Sequence, residues 1–213
     1  MTHAAASARG ARDALRSATD AAHQRLHAIP AFHALAEGHI TRSGYAALLR
    51  RKLGFHAALE ARLSEVPALE AYGIELAARR RTHLLRADLV WLGAHVESPP
   101  APLPPFAGPE EALGGLYVAE GSTLGGRHLA RALDALLPPG PDGRRFLLGH
   151  GDQHGEMWRA CCAAIELCGT TPGSRAGMIH GAEVTFAAFE DWFGGFDLAA
   201  AQPWVAPPST VSV

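Results

Sequence analysis

The sequence is short of most features that assign a chemistry at sight. Of its 213 residues three are cysteines, Cys161, Cys162 and Cys168. An odd number so closely spaced closes no disulfide framework, and no pair has zinc-ligand spacing with a matching second pair. Reduced thiols on a cytoplasmic helix are expected. There is no excess of one charge: 19 Lys and Arg stand against 21 Asp and Glu, with a pI near 6.6. That excludes the basic field of a nucleic-acid partner or of an anionic membrane surface. The one basic run, Arg79-Arg80-Arg81, is expected on a solvated helix face. Long apolar runs are missing too. The segment nearest to one holds Glu120, Arg127, His128 and Arg131, which rules out a membrane span. Met1 to Asp13 has no apolar core of a secretory signal, so a cytoplasmic protein is expected. Alternating strands, internal repeats, His-Glu-x-x-His, Glu-x-x-His and any nucleophile–base set are likewise absent.

What is present is helical periodicity. Apolar spacing predicts helices over about Arg12–His27, Ala31–Glu37, Thr41–Ser64, Ile74–Leu92, Glu110–Leu137, Gly155–Leu167 and Arg175–Phe193. Thr41 is the expected N-cap of the third, and Gly93 ends the fourth. The third should bury Tyr45, Leu48, Leu49, Leu53, Phe55, His56, Leu59 and Leu63. Ser98 to Pro105 is a stiff proline-rich connector, and Pro138 to Gly143 is a turn. With 48% apolar residues the chain can bury one core. The expected fold class is all-α: a single-domain helical bundle over residues 12–196, with a disordered arm at 1–11 and a loose tail at 197–213.

The predicted helix at 110–137 is unusual. Gly114, Gly115, Gly121, Gly125 and Gly126 fall within thirteen of its residues. Each interior glycine costs a helix about 1 kcal/mol against alanine. Gly121 and Gly125 are four apart, so they share a face one turn above the other. Such a face can kink and bring bare backbone against something flat, which makes this a ligand-facing helix. Tight helix–helix packing through small residues is the rival reading. A Walker loop is excluded because Arg127-His128 follows Gly126 where Lys-Ser/Thr is required, and the dinucleotide fingerprint fails on spacing.

Twelve histidines leave several candidates. Helical spacing puts Arg16, Thr19, Asp20, His23 and His27 on one stripe of the first helix. A neutral imidazole at His23 suits haem iron, and Arg16, two turns away, suits a propionate. His150, Asp152, His154 and Glu156 alternate with glycines and read as a loop entering a helix more readily than as a metal cluster.

Taken in order, these segments resemble haem oxygenases. Leu15-Arg16-x-x-Thr19-x-x-x-His23 is similar to that family's proximal helix. Leu116-Tyr117-Val118-x-Glu120-Gly121-Ser122-Thr123-Leu124-Gly125-Gly126 is similar to the distal helix of its bacterial branch, which includes enzymes associated with bacteriophytochromes. Arg86-x-Asp88-Leu89-x-x-Leu92-Gly93, Phe146-x-x-x-His150-Gly151-x-x-x-Gly155-x-Met157-Trp158 and Thr185-Phe186-x-x-Phe189-x-x-Trp192 extend the likeness. The resemblance implies haem clamped between two helices, with His23 as iron ligand. Arg16, Tyr117, Gly121, Gly125 and Gly126 would hold the haem, and Gly121, Ser122 and Gly125 would line the reacting face. In that family haem is both cofactor and substrate. Dioxygen and a reductant, delivered by a ferredoxin or a reductase, open it to biliverdin, carbon monoxide and ferrous iron. A bacteriophytochrome is the implied biliverdin acceptor, and no nucleic acid or membrane is implied.

Three positions depart from the pattern. Ser122 stands where animal members have aspartate, His27 where many relatives carry an acid that orients the proximal histidine, and His150 where an aromatic is expected. Two other function classes stay open: a haem-binding module that stores, delivers or senses haem, and a non-haem member of the same fold.

Overall fold

Ten α-helices and two short 3₁₀ turns, with no strand, make up residues 10–198, the part of the chain described by the computed structural model. The expected arm and tail lie outside these residues, apart from two residues each. The helices are α1 (Ala11–His27), α2 (Pro30–Ala36), α3 (Arg42–Ser64), α4 (Leu76–Arg79), α5 (Thr82–Trp91), α6 (Pro109–Gly121), α7 (Gly126–Ala132), α8 (Arg145–Leu148), α9 (His154–Cys168) and α10 (Pro172–Phe193). The 3₁₀ turns are Pro67–Tyr72 and Gly151–Gln153. The all-α expectation holds, and among the described residues no helix is long and apolar enough to cross a membrane.

Local signals place several ends. Thr41 caps α3, its hydroxyl accepting from the Gly44 amide at 3.1 Å. Thr171 and Ser174 form a reciprocal capping box that opens α10. Past the end of α5, Gly93 takes φ +69°, and the amide of Ala94 donates back to the Leu89 carbonyl at 2.9 Å. The predicted inner face of α3 is buried throughout, from Tyr45 to Leu63.

Two predicted helices are each broken in two. The stretch 74–92 becomes α4 and α5 because Glu60 of α3 stops it. One oxygen of that carboxylate accepts from the amides of Arg81 and Thr82 at 2.7 and 2.9 Å, and the other from the Thr82 hydroxyl at 2.6 Å. The stretch 110–137 becomes α6 and α7, joined by a tight turn at 122–125 where amides reach back three residues instead of four. Other ends are held from far along the chain. Glu166 accepts from the amides of Ala11 and Arg12, each at 3.0 Å, at the start of α1. Asp88 accepts from those of Arg145 and Phe146, at 2.9 and 2.8 Å, at the start of α8. The proline-rich connector lies along α3, where the Ala101 amide donates to the Gly54 carbonyl at 3.1 Å. It separates no domains.

The frame of the site is α10 with α6 and α1 upon it. A Cβ added at Gly114 would lie 2.0 Å from the Met178 carbonyl oxygen, and one at Gly181 would lie 2.1 Å from that of Glu111. The backbones of α6 and α10 therefore touch, which is what glycine at those positions permits. Gly177 faces Glu110, Gly181 faces Glu111 and Gly115 faces Thr185, so α6 and α10 run in the same direction. Helix α1 runs with them: Ala11 sits beside Gly169 and Met178, while Arg25 pairs with Glu190 at 3.0 Å.

Candidate functional site

Helices α1 and α6, parallel on α10, meet at Tyr117. Its hydroxyl is turned toward Thr19, beside Arg12 and Arg16, and burial pushes the phenol above its ordinary value. The Thr19 hydroxyl itself donates to the Leu15 carbonyl at 2.8 Å. One turn on from Thr19 along α1 is His23, and one turn on from Tyr117 along α6 is Gly121. Because the helices run the same way, His23 and Gly121 each lie one turn beyond Thr19 and Tyr117 in the same direction.

His23 is exposed, as is Arg16 two turns before it. Partial burial holds the His23 imidazole below its ordinary pKa, the neighbouring His27 adds to this, and Asp20 opposes it. The ring is therefore neutral at pH 7, the form that ligates a metal. His27 packs edge-on against it, with centroids 4.9 Å apart. An imidazole thus occupies the neighbouring position where an acid was the family expectation.

The five glycines divide into two kinds. Gly114 and Gly115 are packing residues, set against α10 and Phe106. Gly126, expected in the ligand face, belongs with them: it is buried, and a Cβ there would lie 2.1 Å from the Leu147 carbonyl oxygen. Its smallness lets α7 approach α8. Gly125 differs, since a Cβ there would meet nothing within 4 Å. At Gly121 only the Trp158 ring comes near, at an ordinary 3.8 Å. Gly125 therefore borders open space and Gly121 has room for a Cβ, so packing gives no reason for glycine at either.

Ser122 is exposed, but its hydroxyl is committed. It donates to the Ala119 carbonyl at 2.6 Å and lies 3.3 Å from Nη2 of Arg81, which itself donates to the same carbonyl at 2.8 Å. Arg81 thus caps the end of α6 from behind. This corrects the reading of Arg79-Arg80-Arg81 as a solvated face for Arg79 and Arg81, whereas Arg80 is exposed as expected. Arg81 is only 4% exposed, and the Arg79 side chain pairs with Glu120 at 3.2 Å, the two side chains 7% and 4% exposed. The break between α4 and α5 turns these arginines inward against α6. With Glu60, His56 and several leucines they line a small cavity against α6, at Leu116, Ala119 and Glu120. One signal in the sequence could have located them: Glu120, an acid among the apolar residues of the second half of α6, which needs a cation if it is buried.

His150 is half-buried against this cluster, with Glu120, Arg81, His154 and Arg79 as its charged neighbours, and its pKa is lowered chiefly by burial. Asp152 pairs instead with Arg127 at 3.4 Å, and among the described residues no group of His, Cys, Asp or Glu could hold a metal ion. The three cysteines are free thiols on α9. Apolar side chains complete the surroundings. Leu26, Phe32, Val118 and Leu129, from α1, α2, α6 and α7, are only partly covered although they pack on the core. A neutral exposed imidazole, an exposed arginine two turns away, glycines with room around them at the α6–α7 turn and partly covered apolar side chains are of the chemistry that a flat, metal-bearing, anionic ligand such as haem requires.

No family model matches the sequence. A curated haem oxygenase of Xanthomonas campestris pv. campestris is 39% identical over 158 residues, spanning 73% of this chain and 92% of that protein. Among solved structures, the NO- and CO-bound haem oxygenase of Neisseria meningitidis matches with a TM-score of 0.73 at 28% identity, covering 94% of this chain and 100% of that one. The haem oxygenase of Leptospira interrogans shares the fold at 16% identity, with a TM-score of 0.73, covering 88% of this chain and 100% of that one. So does haem oxygenase-1 of the cyanobacterium Synechocystis, solved in complex with haem, at 15% identity and a TM-score of 0.71, covering 88% and 92%.

Proposed function

The chain belongs to the haem oxygenase family, and from that premise we propose that it cleaves haem oxidatively to biliverdin, carbon monoxide and ferrous iron. The observation that carries the reading is that Gly121 and Gly125, at either end of the α6–α7 turn, have room for a side chain and so are not glycine for the sake of packing. When bound, haem supplies both the iron that activates dioxygen and the porphyrin that is opened.

The protein's part is placement. His23 offers its neutral imidazole to the iron from α1. Arg16 offers a cation to a propionate, and Tyr117 holds α1 and α6 together at the neighbouring turn. Gly121 and Gly125 let the backbone of the α6–α7 turn approach the other haem face. Ser122, its hydroxyl tied to Ala119 and Arg81, keeps that turn in shape. The apolar walls exclude water from the reacting edge. Residues 12–196 form the catalytic domain. The physiological setting follows the same reading: a cytoplasmic enzyme of the bacteriophytochrome-associated branch, drawing electrons from a ferredoxin or a reductase and passing biliverdin to a phytochrome.

The test is to mix the purified protein with hemin, add ferredoxin with its reductase or ascorbate, and follow the Soret band. Its decay with growth of a biliverdin band is the expected result. A Soret band that survives reductant indicates a haem-binding module, and absence of any Soret shift overturns the haem reading.

A further inference from the structure

Lys52 of α3 sits in unusual company. Its Nζ lies 4.6 Å from the ring centroid of Phe32, 5.5 Å from that of Phe189 and 5.7 Å from that of Phe146. These rings come from α2, α10 and α8. The charged or titratable groups that act on Lys52 are Arg81 and, one turn along α3, His56. Neither is an acid. The acids of the neighbourhood are engaged elsewhere, Glu60 by the start of α5 and Glu120 by Arg79. Three basic groups thus surround one ring: Arg81 at 5.0 Å and His56 at 4.9 Å from Phe146, with Lys52 beyond. Arg81 continues from that ring to Ser122 and Ala119, which ties Lys52 to the glycine-rich side of the cleft. Lys52 and Phe32 each keep some exposure, although the amine end is enclosed closely enough for burial to lower its pKa.

A cation without a carboxylate, held in apolar surroundings, is poised to receive an anion. We propose that Lys52 is the counter-charge of the haem pocket, its ammonium answering negative charge on a ligand at the open face of the iron. This rests on the haem reading above. In the ligand-free protein, burial first and Arg81 second bring the amine down to about 7. An anion drawn into the cleft would therefore bring a proton with it. Anion binding and Lys52 protonation would favour each other, as linkage requires.

The experiment is azide titration of the ferric haem complex of the parent, Lys52→Met and Lys52→Arg, from about pH 6 to about pH 8. Competition by hydroxide is read from azide-free spectra. The parent should bind azide more weakly as pH rises through about 7. Lys52→Met should already be about tenfold weaker at the acid end and show no such fall, about what one close charge contributes at intermediate dielectric. Lys52→Arg, whose charge does not titrate, should stay tight across the range. Superimposable profiles, or an arginine variant that follows the parent's fall, overturn the proposal. Should Lys52→Met fail to take up haem, the arginine variant against the parent decides. Absence of a Soret band in the parent defeats the haem reading itself, whereas a normal Soret band with identical profiles defeats only the role of Lys52.

Discussion

Gly125 and Gly126 are adjacent in sequence and opposite in physical role, so substituting each separates a ligand face from a packing face. At Gly126 the added Cβ of alanine would sit 2.1 Å from the Leu147 carbonyl oxygen. That contact is backbone, so no side chain can swing aside, and α7 must move away from α8 by more than 1 Å to restore a normal distance. Overpacking of this kind costs about 1–3 kcal/mol. For a chain of this length each kcal/mol lowers the melting temperature by about 2–4 °C. Gly126→Ala should therefore melt about 2–12 °C below the parent. At Gly125 the Cβ meets nothing and φ is −86°, a conformation open to any residue. Gly125→Leu should therefore keep its stability to within about 1 kcal/mol, the loss coming only from leucine's poorer fit at a helix N-cap. Its bulk would occupy the face offered to haem, so hemin affinity should fall at least about tenfold, the loss of roughly 1.4 kcal/mol. Circular-dichroism melting and Soret titration measure both quantities on the same samples. The reasoning is refuted if Gly125→Leu melts lower than Gly126→Ala, or if it binds and turns over haem like the parent.

Three further outcomes follow from the site. His23→Ala should lose the imidazole-ligated haem spectrum with melting shifted by no more than about 0.5 kcal/mol, because the residue is exposed; an unchanged spectrum would move the ligand elsewhere, His27 being next. In the parent, protonation of His23 competes with iron, and since its pKa lies below 6.5, haem affinity should hold through neutral pH and fall only as pH drops below that value, as Soret titration at stepped pH will show. Ser122→Ala should retain most of the biliverdin-forming rate, since the hydroxyl is spent on Ala119; a loss of about tenfold or more would make it a donor to the reacting face. Arg79→Met should destabilise the fold by about 3–5 kcal/mol by leaving Glu120 buried and unpaired, and adding Glu120→Leu should recover much of the loss in denaturant titration.

The helices were largely legible in the sequence, and so was the face of α3, because apolar spacing reports burial directly. The breaks were not. Nothing near Arg81 announces that Glu60, some twenty residues earlier, will take the amides of Arg81 and Thr82 and end one helix to start another. Asp88 at the start of α8 and Glu166 at the start of α1 act in the same way, through caps supplied by distant chain. For the site, the spacing of Thr19 and His23 put the histidine and its stripe on one face. Five glycines in one segment looked alike in sequence, yet only a neighbouring backbone distinguishes Gly126, pressed on Leu147, from Gly125, facing nothing. The inward turn of Arg79 and Arg81 is a consequence of the same helix break, so a charge run that suggested solvent is part of the wall behind the site.

The central claim is that the haem held between His23 and the Gly121–Gly125 turn is itself opened. Carbon monoxide counts that event without ambiguity. The ferric haem complex, given ferredoxin, its reductase and dioxygen under catalase, should release about one carbon monoxide per haem lost, with biliverdin recovered in the same amount. Haem that persists unchanged, or that bleaches without carbon monoxide, would contradict the account.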